Sequence, residues 1–242
     1  WPAFAACALV IGVALLLPAG VLVHWVLQGV AAGEQLDAVW AWAAGSLYVS
    51  GLASVATTLA ALPIALLAVR YASALARWAD GAAQLSFALP GIVIALALVF
   101  FGAQYAPIVY QTVGLLVAAY VIHFLTSSLT SIRAALLSVD RSVEEAARGL
   151  GAAPLRVFLR VTLPLIMPGL LAGAAMVFLL TMKELPATLL LAPLGFKTLA
   201  TSLWGFAEAA FFARTAFPAL VLLLVSSIPM AVLVLRESRW MR

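Results

Sequence analysis

Long apolar runs alternate along the chain with short polar segments. Residues 38–69, 81–132 and 161–182 contain no Asp, Glu, Lys or Arg. A helix that crosses a bilayer needs about 20 predominantly apolar residues, and each of these runs is long enough. Because lipid offers no hydrogen-bond partners, each span must satisfy its own backbone groups as a helix. The pattern therefore predicts an all-α, polytopic membrane protein.

The apolar runs divide into six predicted transmembrane helices. Their approximate limits are residues 2–27, 44–69, 84–102, 108–131, 165–185 and 215–235. We interpret residues 1–242 as a single transmembrane domain. The chain opens on Trp1, directly within an apolar run and without the charged start of a signal peptide. We therefore expect it to be one module of a longer chain.

Composition supports a membrane protein and excludes other classes. The chain is 66% hydrophobic and only 9% charged, whereas soluble domains are about one quarter charged. The net charge of +4 does not indicate nucleic-acid binding, because the basic residues lie at the borders of the spans. Cys7 is the single cysteine, so neither a disulfide framework nor a cysteine metal site is expected.

The basic residues also predict the orientation. Six spans place the connecting segments on two sides, and the thirteen Lys and Arg residues divide ten to three between them. The larger group is Arg70, Arg77, Arg133, Arg141, Arg148, Arg156, Arg160, Arg236, Arg239 and Arg242, and the smaller is Lys183, Lys197 and Arg214. Since positive charge marks cytoplasmic loops, we expect both termini to be cytoplasmic.

Candidate chemistry within the chain is sparse. Neither Lys183 nor Lys197 lies in a phosphate-binding loop, so we expect no ATP site of that kind. His24 and His123 are the histidines of the spans, and a lone intramembrane histidine is more often a packing residue than a proton carrier. No catalytic triad or metal cluster is recognisable. We therefore predict no catalytic residue, no metal site and no cofactor.

Residues 140–164, named here the polar segment, are too charged for lipid and too apolar for a free loop. We predict two short helices, Val143–Leu150 and Pro154–Val161. Gly149 and Gly151 interrupt them, because glycine accepts the positive φ of a helix end. One interpretation is an amphipathic structure resting on lipid headgroups. The other is a surface that packs on a second protein.

The spacing within the polar segment favours the second interpretation. Glu145-Ala146-Ala147 is followed by Gly151 and then by Val161-Thr162-Leu163-Pro164. This arrangement resembles the EAA loop of permease subunits of binding-protein-dependent ABC importers, with Val161 in place of the usual isoleucine. The resemblance implies a permease module in a bacterial cytoplasmic (inner) membrane, covering essentially the whole chain.

In that family the EAA loop forms a coupling helix that sits in a groove of a cytoplasmic ATPase subunit. The resemblance therefore implies three protein partners: an ATPase dimer, a periplasmic substrate-binding protein and a second permease module, either a copy or a fused half. The residues implied in ATPase coupling are Glu145, Ala146, Ala147, Arg148, Leu150, Gly151, Leu163 and Pro164.

A second stretch, residues 183–201, resembles the second module of ferric iron permeases and, more loosely, sulfate and molybdate permeases. The resemblance implies ferric iron as substrate, with thiamine, polyamine, sulfate or phosphonate as alternatives. Glu184, with Thr188 four residues on, is a candidate for the translocation path or gate; pairing with Lys183 or a neighbouring helix is the other interpretation. A channel or secondary carrier without an ATPase is the alternative of a different class.

Overall fold

A computed structural model describes residues 1–34, 37–71 and 74–240, and all regular elements in these ranges are helices. The chain forms α1 (Pro2–Ala31), α2 (Ala38–Arg70), α3 (Ala74–Ala88), α4 (Gly91–Tyr105), α5 (Val113–Ser138), α6 (Arg141–Gly149), α7 (Pro154–Val157), a π-helix (Phe158–Thr162), α8 (Leu163–Met182), α9 (Pro186–Leu191), α10 (Leu199–Glu208) and α11 (Phe212–Trp240). The all-α prediction is confirmed.

Within the described ranges, five helical stretches are long and apolar enough to cross a membrane. They are Pro2–Ala31, Ala38–Arg70, Val113–Ser138, Pro154–Met182 and Phe212–Ala231. A bent pair of helices brings the number to six if it is counted as one span. The helix α1 buries little beyond Gly29, so an apolar surface covers nearly its whole length, as lipid exposure requires.

The predicted third span, residues 84–102, is not one straight helix. The chain leaves helical geometry after Ala88 and resumes it at Gly91, and the axes on the two sides differ by 104°. Pro90 explains the break, because proline lacks an N–H group and disfavours helical geometry at the residue before it. The new helix α4 then begins with Pro90 as its N-cap.

Other predicted boundaries also differ from the structure. Residues 108–112 form turns, and α5 begins at Val113 after Thr112, whose hydroxyl accepts a hydrogen bond from the Leu115 N–H group. The fifth apolar stretch is helical from Pro154 to Met182. The intervening residues 183–214 hold the short helices α9 and α10, which the hydropathy pattern did not resolve.

The chain divides into two compact units. The first comprises Trp1–Leu47 and Gly195–Ile228. Within it, Gly29 allows α1 to approach Ala213 closely, and the ring of Trp25 lies 5.6 Å from that of Phe212. The backbone N–H of Leu199 donates to the Ser46 hydroxyl at 2.8 Å. Glycine and small polar residues therefore bring these helices together.

The second unit comprises Tyr48–Leu194 and Pro229–Arg242, and its centre is the packing of α5 on α8. A Cβ atom on Gly169 would lie within 3.0 Å of Ser131 O, and one on Gly173 would lie 3.0 Å from Ser128 Oγ. Small residues at this spacing permit close approach of two helices. The Gly169-x-x-x-Gly173 pattern is thus used for packing α8 against α5.

Candidate functional site

The first half of the polar segment folds as the amphipathic helix that its sequence predicts. Asp140 caps α6 by accepting a hydrogen bond from the Ser142 N–H group at 2.9 Å. This bond to the backbone of Ser142 holds the pKa of Asp140 below its ordinary value. Arg148 lies in the last turn, where a positive charge suits the helix dipole.

A glycine turn ends α6. The N–H of Gly151 donates to Arg148 O at 2.9 Å, and the N–H of Ala152 donates to Ala147 O at 3.2 Å. These two bonds form a Schellman motif, which requires a left-handed residue after the helix. Gly151 has φ of +85°, which confirms the predicted conformation. A Cβ atom there would meet nothing within 4 Å, so conformation rather than space selects glycine.

The second half of the polar segment starts a helix that continues into the membrane. Pro154 occupies the first turn of α7, where its missing N–H group costs nothing. The π-helix Phe158–Thr162 follows, and Leu163 and Pro164 form the first turn of α8. The polar segment and the span after it are therefore one continuous helical stretch.

The polar segment exposes apolar side chains on its surface. Leu150 is 90% exposed, and Leu155 and Leu159 are also exposed. Glu145, Ala146 and Arg148 are exposed, whereas Ala147 is half-buried. Exposed apolar side chains that lie among charged ones are typical of an interaction site. The implied coupling residues up to Gly151 thus lie on one short helix and its turn.

One acidic residue of α6 behaves differently from its neighbours. Glu144 is buried and accepts hydrogen bonds through Oε1 from Arg70 Nη2 at 2.9 Å and from Thr162 Oγ1 at 3.1 Å. In the sequence, Arg70 indicated only orientation, and no role was predicted for Glu144. Arg70 and Glu144 are 74 positions apart along the chain, and no local sequence pattern predicts that they form a pair.

The other candidate residues, Glu184 and Thr188, lie together at the junction of α8 and α9. The Glu184 carboxylate accepts a hydrogen bond from the Ala187 N–H at 3.1 Å. The Thr188 hydroxyl donates to Glu184 O at 2.6 Å and lies 2.6 Å from the buried Tyr120 hydroxyl. The carboxylate therefore caps the first turn of α9.

The junction also contains a histidine for which no carboxylate neighbour was predicted. A Cβ atom on Gly91, the first residue of α4, would lie 3.0 Å from Glu184 Oε1 and 3.2 Å from His123 Nε2. The structure therefore places these two ionisable groups beside the same helix start. The Glu184 carboxylate therefore lies beside the first residue of α4 as well as at the first turn of α9.

Comparison with known proteins supplies the family. Residues 58–242 match the sequence family of binding-protein-dependent transport system inner membrane components. The chain belongs to this family. The matched region contains the whole polar segment, the last four predicted spans and part of the second. This inner membrane component is therefore a multi-pass protein and a transport component.

Individual relatives match stretches of different length. The chain is 39% identical over 220 residues to the Fe(3+)-transport system permease protein FbpB 2 of Haemophilus influenzae, covering 90% of this chain and 43% of that protein. It is 48% identical over 54 residues to the putrescine permease PotI of Escherichia coli, covering 22% of the chain and 19% of PotI. It is 42% identical over 76 residues to the molybdenum permease ModB of Escherichia coli, covering 31% of this chain and 33% of ModB.

Solved structures agree with the fold of this inner membrane component. An amino acid ABC transporter crystallised with histidines matches with a TM-score of 0.65 at 19% identity, covering 88% of this chain and 98% of that chain. The inward-facing methionine ABC transporter MetNI matches with a TM-score of 0.62 at 16% identity, covering 81% and 91%. The architecture is therefore that of ABC transporter membrane subunits.

Proposed function

We propose that the chain is the membrane-spanning module of an ATP-driven importer of ferric iron. A periplasmic binding protein delivers the ligand, and a cytoplasmic ATPase dimer drives the paired modules between outward-facing and inward-facing states. The observation that supports ferric iron as the substrate is the 39% identity to an Fe(3+) permease over 90% of this chain. The chain contributes no covalent chemistry, and ATP hydrolysis belongs to the separate ATPase subunit.

The polar segment is the proposed contact with the ATPase. Its exposed leucines, including Leu150, would enter an apolar groove of the ATPase. Glu145 and Arg148 would form ion pairs at the rim of that groove. Ala146 and Ala147 allow close approach, Gly151 sets the turn, and Leu163 and Pro164 lead into α8. The ten-to-three division of basic residues supports a cytoplasmic position for this segment and for both termini.

Transport by alternating access needs a second permease module across the path. This chain covers 43% of FbpB 2, so the second module is either another part of a longer chain or a copy of this one. ATP binding changes the contacts that the ATPase makes, and this differential contact energy shifts the population between the two states.

Glu184 and Thr188 are the proposed path or gate residues. They lie where α8 gives way to α9 beside the break between α3 and α4. Interrupted membrane helices often mark substrate sites of transporters, because the helix breaks free backbone groups for a ligand. The carboxylate would attract a cation, although it also accepts a hydrogen bond from the Ala187 N–H.

A co-purification experiment tests the importer proposal. The native chain in detergent should retain its ATPase, and the Glu145→Ala/Gly151→Val variant should lose it. Loss of the ATPase by the variant supports the coupling surface. If neither chain binds an ATPase, the polar segment is a lipid-facing structure, and a channel or carrier becomes the better explanation.

Relatives that match shorter parts favour a second candidate, the same machine with another substrate. PotI and ModB are more identical locally than FbpB 2, although over far fewer residues. ATP hydrolysis by the reconstituted complex should rise with a binding protein loaded with ferric iron. Stimulation by putrescine or molybdate instead would replace the iron assignment without affecting the importer mechanism.

A further inference from the structure

Glu144 connects three helical elements: α6, α2 and the π-helix. It belongs to α6, yet its carboxylate is bound by Arg70 at the end of α2 and by Thr162 at the end of the π-helix. The side chains of Arg70 and Glu144 are each only 10% exposed. The proposed ATPase contact is therefore tied to two membrane helices, α2 directly and α8 through the π-helix that leads into it.

Further hydrogen bonds hold the end of α2 against α6 and against the end of α5. Arg141, the first residue of α6, donates from Nη2 to Val69 O at 3.0 Å and to Arg70 O at 2.8 Å. Arg70 in turn donates from Nη2 to Val139 O at 3.1 Å. Arg141 thus binds the carbonyls at the end of α2, and Arg70 binds the carbonyl of Val139, the residue that follows α5. Arg141 of α6 therefore satisfies the last carbonyls of α2, which have no partner within their own helix.

The π-helix gives Thr162 its place in this network. A π-turn inserts an extra residue into a helix and shifts the side chains that follow, and such turns are frequent at functional sites. Here the turn ends at Thr162, which is buried and donates to Glu144. Displacement of α6 would therefore act on the start of α8 through one hydrogen bond.

Burial makes the connection stiff. An exposed ion pair is weakened by salt and water, whereas a buried pair that loses one partner leaves an uncompensated charge in a poorly solvated site. The pair of Arg133 with Asp80 offers a contrast, since its side chains are 33% and 27% exposed and neither belongs to α6. The Arg70–Glu144 pair is thus the better suited of the two to transmit a displacement.

We propose that Arg70, Glu144 and Thr162 form a rigid joint that carries motion of the polar segment into α2 and α8. They are positioning residues for transport and do not touch the ATPase or the substrate. The proposal rests on the proposed function, since it assigns a role to residues behind the ATPase contact. It predicts that breaking the joint leaves the ATPase bound but separates ATP hydrolysis from transport.

The test uses the complete complex in liposomes, with ferric iron on the binding protein as the transported probe. Glu144→Gln keeps the shape and an oxygen acceptor for Thr162 while removing the charge. We expect it to retain the ATPase and its hydrolysis but to import roughly tenfold less iron per ATP, within the ordinary range of coupling between sites. The double variant Arg70→Gln/Glu144→Gln should lose less than the two single effects combined, because the two side chains act as a pair.

Two further variants separate the joint from general damage. Thr162→Val is nearly isosteric and should lower iron per ATP to a smaller extent. Arg133→Gln makes the same chemical change in the pair outside α6 and should leave the ratio unchanged. An unchanged ratio in Glu144→Gln and Thr162→Val, or an equal loss in Arg133→Gln, would overturn the joint. A native chain that binds no ATPase would instead remove the proposed function itself.

A distance measurement keeps the test decisive even if iron is not the substrate. Spin labels are attached at Ser142→Cys in α6 and Leu59→Cys in α2, which are both exposed positions. Cys7→Ser removes the native cysteine of this chain, so that it is not labelled. In the ATPase complex, a non-hydrolysable ATP analogue should leave this distance unchanged in the otherwise native chain. It should change or broaden it when Glu144→Gln is added. A nucleotide-dependent change of equal size without Glu144→Gln would refute a rigid joint.

Discussion

The turn at Gly151 gives the sharpest prediction for the proposed ATPase contact. We expect Gly151→Val to insert and fold normally but to lose the ATPase. The residue has φ of +85° and donates one of the two hydrogen bonds that close the Schellman motif after α6. A β-branched side chain opposes this conformation, so the exposed Leu150 beside it would no longer be held in place.

The structure limits the cost to the backbone. A side chain at this position would meet nothing within 4 Å, so no steric clash adds to the conformational strain. The left-handed region costs an ordinary L-residue about 1–2 kcal/mol, and a β-branched residue lies at the upper end. A cost of about 2 kcal/mol lowers the population of the native turn up to roughly 30-fold. The apparent affinity for the ATPase falls by the same factor when the native turn is the minor state.

The assay is retention of the ATPase on the purified chain, measured at several ATPase concentrations. Gly149→Val is the matched control, because residue 149 also has open space around it but does not have positive φ. Gly151→Asn should recover much of the binding, since asparagine tolerates the left-handed region. Equal thermal midpoints in detergent would show that all three chains fold.

Two results would refute this reasoning. Normal ATPase retention and uptake by Gly151→Val would mean that the turn is not needed for the contact. Equal loss in Gly149→Val and Gly151→Val would mean that bulk, rather than backbone conformation, disturbs the surface.

Three further predictions address the surface, the packing and the cap. Leu150→Asp should abolish ATPase retention without unfolding the chain, whereas Leu194→Asp, at an equally exposed position, should retain it. Gly169→Leu should lower the free energy of unfolding by about 1–3 kcal/mol, because a Cβ atom there already meets Ala135 and Ser131. The control Gly12→Leu should show no such loss in thermal unfolding, because a Cβ atom on Gly12 meets nothing within 4 Å. Because the pKa of Asp140 is lowered in the folded chain, its cap on α6 is present at neutral pH and is lost as the pH falls through that lowered pKa. Protection of the α6 amides from hydrogen exchange should therefore drop in acid. Asp140→Asn should remove this pH dependence.

The polar segment was predictable because its signals are local. A capping residue, a glycine with positive φ and a proline in the first turn act within a few residues of themselves. The structure confirms a short amphipathic helix, although it runs from Arg141 to Gly149 rather than from 143 to 150. The second helix passes into a π-helix after Val157, which no local pattern indicated.

The broken third span shows where hydropathy alone fails. Average hydrophobicity across residues 84–102 is the same for a straight helix and for two helices joined at Pro90. Proline raises the chance of a break, but membrane helices often accommodate it, as α1 does with Pro18 and α2 with Pro63. Which proline bends the chain depends on the neighbours that replace the missing hydrogen bonds.

The sequence by itself determined the class of protein, because lipid imposes length, apolarity and internal hydrogen bonding on every span. It also determined the local geometry around Gly151. Only the tertiary structure decided that Glu144 lies against Arg70 and that Glu184 lies near His123, since these contacts join residues far apart in the chain. These contacts arise from helix packing, and none of the four residues indicates its partner when it is viewed alone along the sequence.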